Sequence, residues 1–372
     1  MTERWKTQLE RIERLHPDDD LLERARQRPT TPLPRDGAGR RAGAIAVAAV
    51  LTVGLVVGGI VVMRDRSPAT NVVVTPPEVI ENGDLLFAAN LEDAWHIYAV
   101  DPETGEEREL TEGVRDYDSD WSPDGTKIVY GSETDGGSEI VIADADGSNP
   151  VSIAEGESPS WSPDGTRIAY SSEGRIWIVN VDGSDAHPVT DPVSSGGETV
   201  SFPSSYDWNP SWAPDGRSIA YTRLVSERLA PMPNGEGRTS VTLEELRVWS
   251  EDGTDVALTD AYVHLGDVDW SPDGSTLVST GAHTLFHEES TNGIVWPRVL
   301  TMPSSGGEAV PITPERDRWT GGATWSPDGE WIAFQDDYET IAIVHPDGSD
   351  RAEIDLGYEV IGLSWGVVPP SR

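Results

Sequence analysis

Cysteine is absent from this chain of 372 residues, and Lys6 and Lys127 are its lysines. Without cysteine the chain has no disulfide, no thiolate nucleophile and no cysteine-ligated zinc. Basic residues are scarce, with 27 Lys and Arg against 65 Asp and Glu, which gives a formal net charge of -38. A surface with this charge repels phosphate backbones, so we expect no nucleic-acid partner.

The charge is distributed unevenly along the chain. Residues 1–64 carry 11 basic and 8 acidic residues, a net charge of +3, which leaves 16 and 57, a net charge of -41, for residues 65–372. Between the two parts, Ala42–Met63 contains 22 residues without a charge, and about 20 apolar residues suffice for a helix to cross a bilayer. Because 41 residues precede this run, it does not resemble a cleaved signal peptide. We predict a transmembrane helix at 42–63.

Arginines concentrate before the predicted span rather than after it. Positive residues near a span stay on the cytoplasmic side, so we expect a single-pass protein with a cytoplasmic N-terminus and an extracytoplasmic acidic part. We predict that residues 1–41 form a helical segment followed by a Pro/Arg linker. The apolar face of this helix would carry Trp5, Leu9, Ile12 and Leu15. So short a segment buries no core of its own. It therefore lies on the bilayer, pairs with itself or docks on a cytoplasmic protein.

Beyond a stalk at 64–79, the sequence repeats itself. Five copies of a Trp-Ser/Ala-Pro-Asp-Gly motif begin at Trp121, Trp161, Trp212, Trp270 and Trp325. Each copy combines a strand, a tight Pro-Asp-Gly turn and a second strand. In most copies another strand and an Asp-Gly turn follow, which lead to a fourth strand. Four strands in a repeat of 40 residues or more are typical of a propeller blade.

The two ends of the acidic part together supply the strands of one blade. Three strands predicted at 84–87, 96–100 and 109–110 lack a first strand, whereas Trp365 stands 40 residues after Trp325 without later strands. A last strand that pairs with the first blade would remove the exposed sheet edges. The sequence therefore predicts an all-β fold, a six-bladed β-propeller at 80–368 whose C-terminal strand closes the first blade.

In these repeats the chain resembles the TolB-like propeller family, whose WD-type repeats carry the same motif. The resemblance implies the fold and leaves the function open, since similar propellers occur in TolB of the Tol-Pal envelope system, in prolyl oligopeptidase-like enzymes and in oligogalacturonate lyase. TolB carries an α/β domain where this chain has its predicted anchor, so the resemblance does not extend to the Tol-Pal role.

Catalytic signatures are missing from the sequence. It contains no G-x-S-x-G elbow and no P-loop. His283, His287 and Glu288 could together ligate a metal, but a solvated polar loop is the better interpretation. Asp116, Asp118 and Asp120 do not continue into an EF-hand loop. We therefore predict a non-enzymatic protein without metal or cofactor.

Three insertions interrupt the repeats, at 188–209, 224–242 and 281–292. All fall in connections between second and third or between fourth and first strands, which share one face of a propeller, the loop face. Aromatic residues and arginine are enriched in interfaces, so we predict partner-binding residues on this face: Tyr206, Trp208, Arg223, Arg228, Arg238, Phe286 and His287. Packing within their own loops is the alternative for the aromatic residues. Three channel carboxylates are predicted as well, Asp118, Asp207 and Asp267, which line a hydrated acidic channel or hold a cation.

Together these features predict a membrane-anchored, extracytoplasmic module that binds a protein or a glycan. The order of a cytoplasmic segment, a span and an outer propeller is also that of membrane-bound anti-sigma factors, which suggests a signalling sensor. The alternative is a propeller lyase or hydrolase that acts on an extracellular polymer, with His283 and His287 beside the acidic channel.

Overall fold

A computed structural model describes residues 81–91, 94–191, 206–231, 238–259, 264–282, 297–314 and 319–369. These residues form six four-stranded sheets, which confirms the predicted all-β propeller with six blades. The cytoplasmic segment, the membrane span and the stalk, predicted at 1–41, 42–63 and 64–79, lie outside the described residues.

Each blade is an antiparallel sheet with its first strand at the channel and its fourth at the rim. Blade one contains β24 (Val360–Val367), β1 (Asn82–Leu91), β2 (Ala94–Val100) and β3 (Glu107–Glu109). Blade two contains β4 (Asp116–Trp121), β5 (Lys127–Thr134), β6 (Gly137–Asp144) and β7 (Val151–Glu155). Blade three contains β8 (Glu157–Trp161), β9 (Arg167–Ser172), β10 (Arg175–Asn180) and β11 (His187–Pro188). Blade four contains β12 (Tyr206–Trp212), β13 (Ser218–Pro231), β14 (Arg238–Ser250) and β15 (Asp255–Ala257). Blade five contains β16 (His264–Trp270), β17 (Thr276–Ala282), β18 (Arg298–Pro303) and β19 (Val310–Pro311). Blade six contains β20 (Thr320–Trp325), β21 (Ile332–Asp336), β22 (Thr340–Val344) and β23 (Ala352–Asp355).

The last strand closes the ring as the sequence predicts. β24 pairs antiparallel with β1, and Trp365 lies opposite Leu85. The indole Nε1 of Trp365 donates a hydrogen bond to the carbonyl of Gly83 at 3.0 Å. Residues from the two ends of the propeller therefore share one sheet, and the last strand completes the first blade.

A network of hydrogen bonds shapes the repeated turn between first and second strands. In blade two, Ser122 Oγ donates to Asp124 Oδ1 at 2.7 Å and accepts from the backbone N–H of Lys127 at 2.9 Å. Gly125 has a φ of 66°, a conformation that glycine adopts without a steric penalty. In blade three, the hydroxyls of Ser162 and Thr166 lower the pKa of Asp164 to about 2. These aspartates therefore stabilise the turns through hydrogen bonds, as their repetition in the sequence predicts.

Apolar packing fills the space between neighbouring blades. The second strands bury both faces, so that Ile128 of β5 packs toward blade one while Val129 packs toward blade three. Six clusters of buried side chains result, one in each interface between adjacent blades. This explains why these strands are continuously apolar rather than alternating. The core is a ring of interfaces around a polar channel.

Candidate functional site: the channel and the loop face

The first strand of every blade contributes to the channel wall. The positions three residues before each first-strand tryptophan are Asp118, Ser158, Asn209, Asp267, Gly322 and Gly362. All of them except Asp267 have a left-handed backbone, with φ between 44° and 61°. The pairing of first and second strands also shifts register at this point in all six blades. Each first strand therefore contains a β-bulge, which changes the face toward which the following side chains point.

Hydrogen bonds connect this ring of residues on one side of the channel. Ser158 Oγ lies 2.8 Å from Asp118 Oδ2 and 3.2 Å from Asn209 Oδ1. Asn209 Nδ2 donates to Asp267 Oδ1 at 2.7 Å. The other side carries Gly322 and Gly362, which have no side chains. Two of the predicted channel carboxylates, Asp118 and Asp267, therefore belong to opposite blades and are joined by a polar arc.

A second pair of carboxylates joins the blades two residues further along. Asp120 accepts hydrogen bonds from the backbone N–H of Trp161 at 2.8 Å and from Ser364 Oγ at 2.7 Å, so it connects blades one, two and three. Asp269, on the opposite blade, accepts from the backbone N–H of Trp325 at 2.8 Å. Burial raises the pKa of Asp120 to about 6 and also raises that of Asp269. Both carboxylates act as structural clamps between blades.

The channel cavity is small. Its volume is about 100 Å³, and its walls carry Asp118, Asn209, Asp267 and the clamps Asp120 and Asp269. A water molecule in the liquid occupies about 30 Å³, so the cavity accommodates a few waters or one small ion. Within the part of the chain that the structure describes, no three metal-ligating side chains come together.

Asp207 does not line the channel, contrary to the prediction. Its side chain is fully buried between strands and pairs with Arg223, whose Nε and Nη2 donate to Asp207 Oδ1 and Oδ2 at 2.6 and 2.8 Å. Thr190 Oγ1 donates to the same carboxylate at 2.6 Å. The prediction took the strand before each tryptophan to line the channel, and the bulge at Asn209 interrupts the pleat of β12 between Asp207 and Trp212. Arg223 is 4% exposed, so it is a core residue and not a ligand of the loop face.

Of the two aromatic residues predicted beside this pair, Trp208 packs inward. Trp208 is 4% exposed, and its ring lies 5.6 Å from that of Tyr206, between centroids. Tyr206 keeps part of its surface accessible. Trp208 is therefore buried by packing, which is the alternative to partner binding, and Tyr206 is the accessible member of the pair.

The insertion predicted as a loop at 224–242 is mostly a hairpin. β13 and β14 have 14 and 13 residues, against 8 in each of the equivalent strands of blade two. Pairing continues from Ser226 opposite Leu243 to Pro231 opposite Arg238. Arg228 lies within this extension, opposite Val241. At about 3.3 Å per residue, the additional six residues extend the hairpin by about 20 Å.

The remaining predicted loop-face residues have side chains outside the described residues. Arg228 and Arg238 belong to the hairpin strands, and the structure describes their backbone pairing alone. Phe286 and His287, together with His283 and Glu288, lie between Ala282 and residue 297, also outside the described residues.

Comparisons with known proteins address the fold. A family model for the TolB beta propeller domain matches residues 69–246. The chain contains a TolB-type β-propeller. The crystal structure of TolB from Acinetobacter baumannii shares 16% identity with it at a TM-score of 0.57, over 76% of this chain and 66% of that protein. A putative TolB from Agrobacterium tumefaciens shares 15% identity at a TM-score of 0.53, over 78% of this chain and all of that one. The chain thus spans about two thirds of the first relative's length.

The same fold also occurs outside the TolB proteins. A chain of the nidogen/laminin complex matches 76% of this sequence and 98% of its own length, with 12% identity and a TM-score of 0.54. Identities this low show a shared fold alone. No curated protein sequence matches the chain. Among the described residues of the TolB-type propeller, no helix has the length and apolar character needed to cross a membrane.

Sequence reasoning overlooked a recurring strand position in the TolB-type propeller. The residues five before and eleven after a first-strand tryptophan lie opposite one another, and in three blades this pair contains a buried carboxylate. The pairs are Asp116 with Ser132, Asp207 with Arg223, and Thr320 with Asp336. Aligning the repeats on their tryptophans places Asp116 and Asp207 at the first of these offsets and Asp336 at the second, and a comparison of the copies at both offsets would have revealed them.

Proposed function

We propose that this protein is a membrane-anchored TolB-type propeller that binds a protein partner outside the membrane, through its loop face, and catalyses no reaction. Its residues 1–41 would face the cytoplasm and contact a second protein there, as in a transmembrane signalling sensor. The charge-free run at 42–63 and the arginines before it support the anchor and its orientation.

The extended hairpin of blade four carries the proposal. Beyond Leu224, the strands β13 and β14 pair with each other, whereas β12 ends its pairing at Leu224 and β15 pairs only with residues 247–249. Within the described residues, both outer edges of this extension present backbone groups without strand partners. A two-stranded hairpin alone is marginally stable in water, and an open edge is a surface to which another chain adds a strand. A protein partner would satisfy both requirements.

The channel carboxylates support a binding role rather than catalysis. Asp120 and Asp269 direct their oxygens to backbone N–H and hydroxyl groups of neighbouring blades. A general acid or base needs a carboxyl group within reach of a substrate proton. These two groups are instead occupied in holding the blades together. The channel is therefore assigned to stability, and the loop face to recognition.

Proximity labelling in the host cell tests the proposal with the full chain. One labelling enzyme is fused before Met1 and another after Arg372, and a variant replaces residues 226–243 with an Asn-Gly turn to shorten the hairpin. We expect the N-terminal fusion to label cytoplasmic proteins and the C-terminal fusion to label extracytoplasmic ones, including one that the shortened variant no longer labels. Labelling of cytoplasmic proteins by the C-terminal fusion would overturn the proposed topology. Labelling of the same extracytoplasmic proteins by the full-length chain and by the shortened variant would overturn the proposed role of the hairpin.

A further inference from the structure

A groove lies where the connection between blades one and two crosses the side of blade two. Its volume is about 750 Å³. Four carboxylate residues contribute to its walls, together with an aromatic ring and a hydroxyl: Glu109, Glu112, Asp116, Asp146, Tyr130 and Ser132. Among the described residues, no lysine or arginine lines it. The groove is therefore suited to a positively charged ligand.

Asp116 is the unusual residue of this groove. It is 1% exposed, and its Oδ2 accepts a hydrogen bond from the backbone N–H of Gly113 at 3.2 Å. Its Oδ1 is buried and has no hydrogen-bond partner among the described residues. Leaving a buried polar group unsatisfied costs about 1–3 kcal/mol, and more for a charged one, so buried carboxylates are nearly always paired.

Two other blades show how a buried carboxylate on either side of this strand pair is satisfied. In blade four, Asp207 receives two hydrogen bonds from Arg223, whose guanidinium lies 5.4 Å from the centroid of the Tyr221 ring. In blade six, Arg351 pairs with buried Asp336 and lies 5.5 Å from the centroid of the Phe334 ring. Both sites combine a buried carboxylate, an aromatic ring nine residues after the tryptophan, and an arginine from the chain.

Blade two has the first two components and lacks the third. Asp116 occupies the strand position of Asp207, and Tyr130 that of Tyr221. Ser132 lies opposite Asp116, at the position that Arg223 holds opposite Asp207. Serine has no guanidinium group, so this position does not supply the arginine in blade two. Burial, and then the negative charge of Asp116, raise the pKa of Tyr130, which is consistent with a carboxylate close to the ring. The groove lies beside this incomplete site.

We propose that the groove binds the guanidinium group of an arginine side chain presented by a protein partner. The proposal rests on the proposed function, since it names one recognition element of that partner. A planar guanidinium donates two parallel hydrogen bonds to a carboxylate and stacks on an aromatic ring, whereas an ammonium does neither as well. A calcium ion would need six to eight oxygen ligands, and Asp116 is the carboxylate of the groove that is buried and unsatisfied. Arginine is also the residue that pairs with the buried carboxylate in blades four and six.

A small peptide tests the groove independently of the natural partner. Saturation-transfer NMR on the full chain in detergent would detect binding of acetyl-Gly-Arg-Gly-amide, and the peptide with citrulline in place of arginine serves as the neutral isostere. We expect the arginine peptide to bind with a dissociation constant in the millimolar range and the citrulline peptide to bind at least about tenfold more weakly. Equal binding of both peptides, or no transfer to either, would overturn the proposal.

Two variants locate the binding site. Asp116→Asn should weaken binding of the arginine peptide at least about tenfold, while Asp135→Asn, an exposed residue of the same blade, should leave it unchanged. Ser132→Arg copies the arrangement of blade four, so we expect it to raise the melting temperature and to abolish peptide binding. If the arginine peptide bound both Asp116→Asn and Ser132→Arg as tightly as the wild-type protein, it would bind at another surface and the proposal would be overturned. Such a result would leave hairpin-dependent labelling intact, so the two proposals fail separately.

Discussion

The Asp120 carboxylate makes propeller stability depend on pH. Its pKa is raised from 3.8 to about 6, first by burial, so the folded state binds its proton more tightly than the unfolded chain does. The stabilisation from protonation is therefore fully present below about pH 4 and is lost as the pH rises through about 6. We expect Asp120→Asn, measured by thermal unfolding from pH 4 to 7, to lose this part of the pH dependence, which is at most about 3 kcal/mol.

Other carboxylates also titrate in this range, so the comparison is between variants and not between pH values alone. Asp135→Asn removes the same charge from an exposed position and should follow the wild-type profile. A profile for Asp120→Asn that runs parallel to that of the wild type would show that the clamp is charged throughout.

The Asp207–Arg223 pair predicts a large stability effect at a position first assigned to binding. Arg223→Met should destabilise the propeller by about 3–5 kcal/mol, because Asp207 keeps a charge in the core without its partner. Adding Asp207→Asn should recover part of that loss. Chemical denaturation measures both changes. The matched control is Arg217→Met, an exposed arginine near the start of the same hairpin, and an equal effect of the two methionine variants would contradict the assignment.

At the scale of elements, β24 holds the ring closed. It supplies the first strand of blade one, and it carries Ser364, which donates to Asp120 of the next blade. We expect a chain ending at Gly357 to lose the cooperative thermal transition and to associate, because β1 then presents an unpaired edge. A chain ending at Pro369 keeps β24 and serves as the control. Calorimetry and size-exclusion chromatography measure both properties, and a monomeric truncated chain with the wild-type melting temperature would refute the closure argument.

The strands that the sequence predicted correctly are those with a strong local signal. The repeated tryptophan and Pro-Asp-Gly turn fix where first strands end and second strands begin, and Trp365 reveals closure because it repeats the spacing. The bulges carry no such signal. Their positions hold Asp118, Ser158 and Asn209 in left-handed conformations, and an extended strand would be expected at each. Without the bulge, pleat alternation places Asp207 in the channel, which is why that prediction was wrong.

The hairpin of blade four shows a second limit of local reasoning. The interruption of the repeat at 224–242 predicts a loop, and residues 231–237 contain two prolines and two glycines, which are typical of loops. The strands on either side continue because they pair with each other over six further positions, an interaction between two segments rather than within one. Apparent loop residues such as Arg228 are strand residues for this reason. Pairing of this kind depends on the partner strand and has no single-residue signature.

For the whole molecule, the absence of cysteine makes its membrane topology directly measurable. Single cysteines can be introduced by Thr7→Cys in the predicted cytoplasmic segment, Ala49→Cys in the predicted span and Glu103→Cys at an exposed turn of blade one. A membrane-impermeant maleimide reacts with a thiolate in water and not with one in hydrocarbon. In spheroplasts we expect it to label Glu103→Cys alone, and after lysis to label Thr7→Cys as well, while Ala49→Cys stays unlabelled until the membrane is dissolved. Labelling of Thr7→Cys before lysis would reverse the orientation, and labelling of Ala49→Cys in intact membranes would show that residues 42–63 do not span the bilayer.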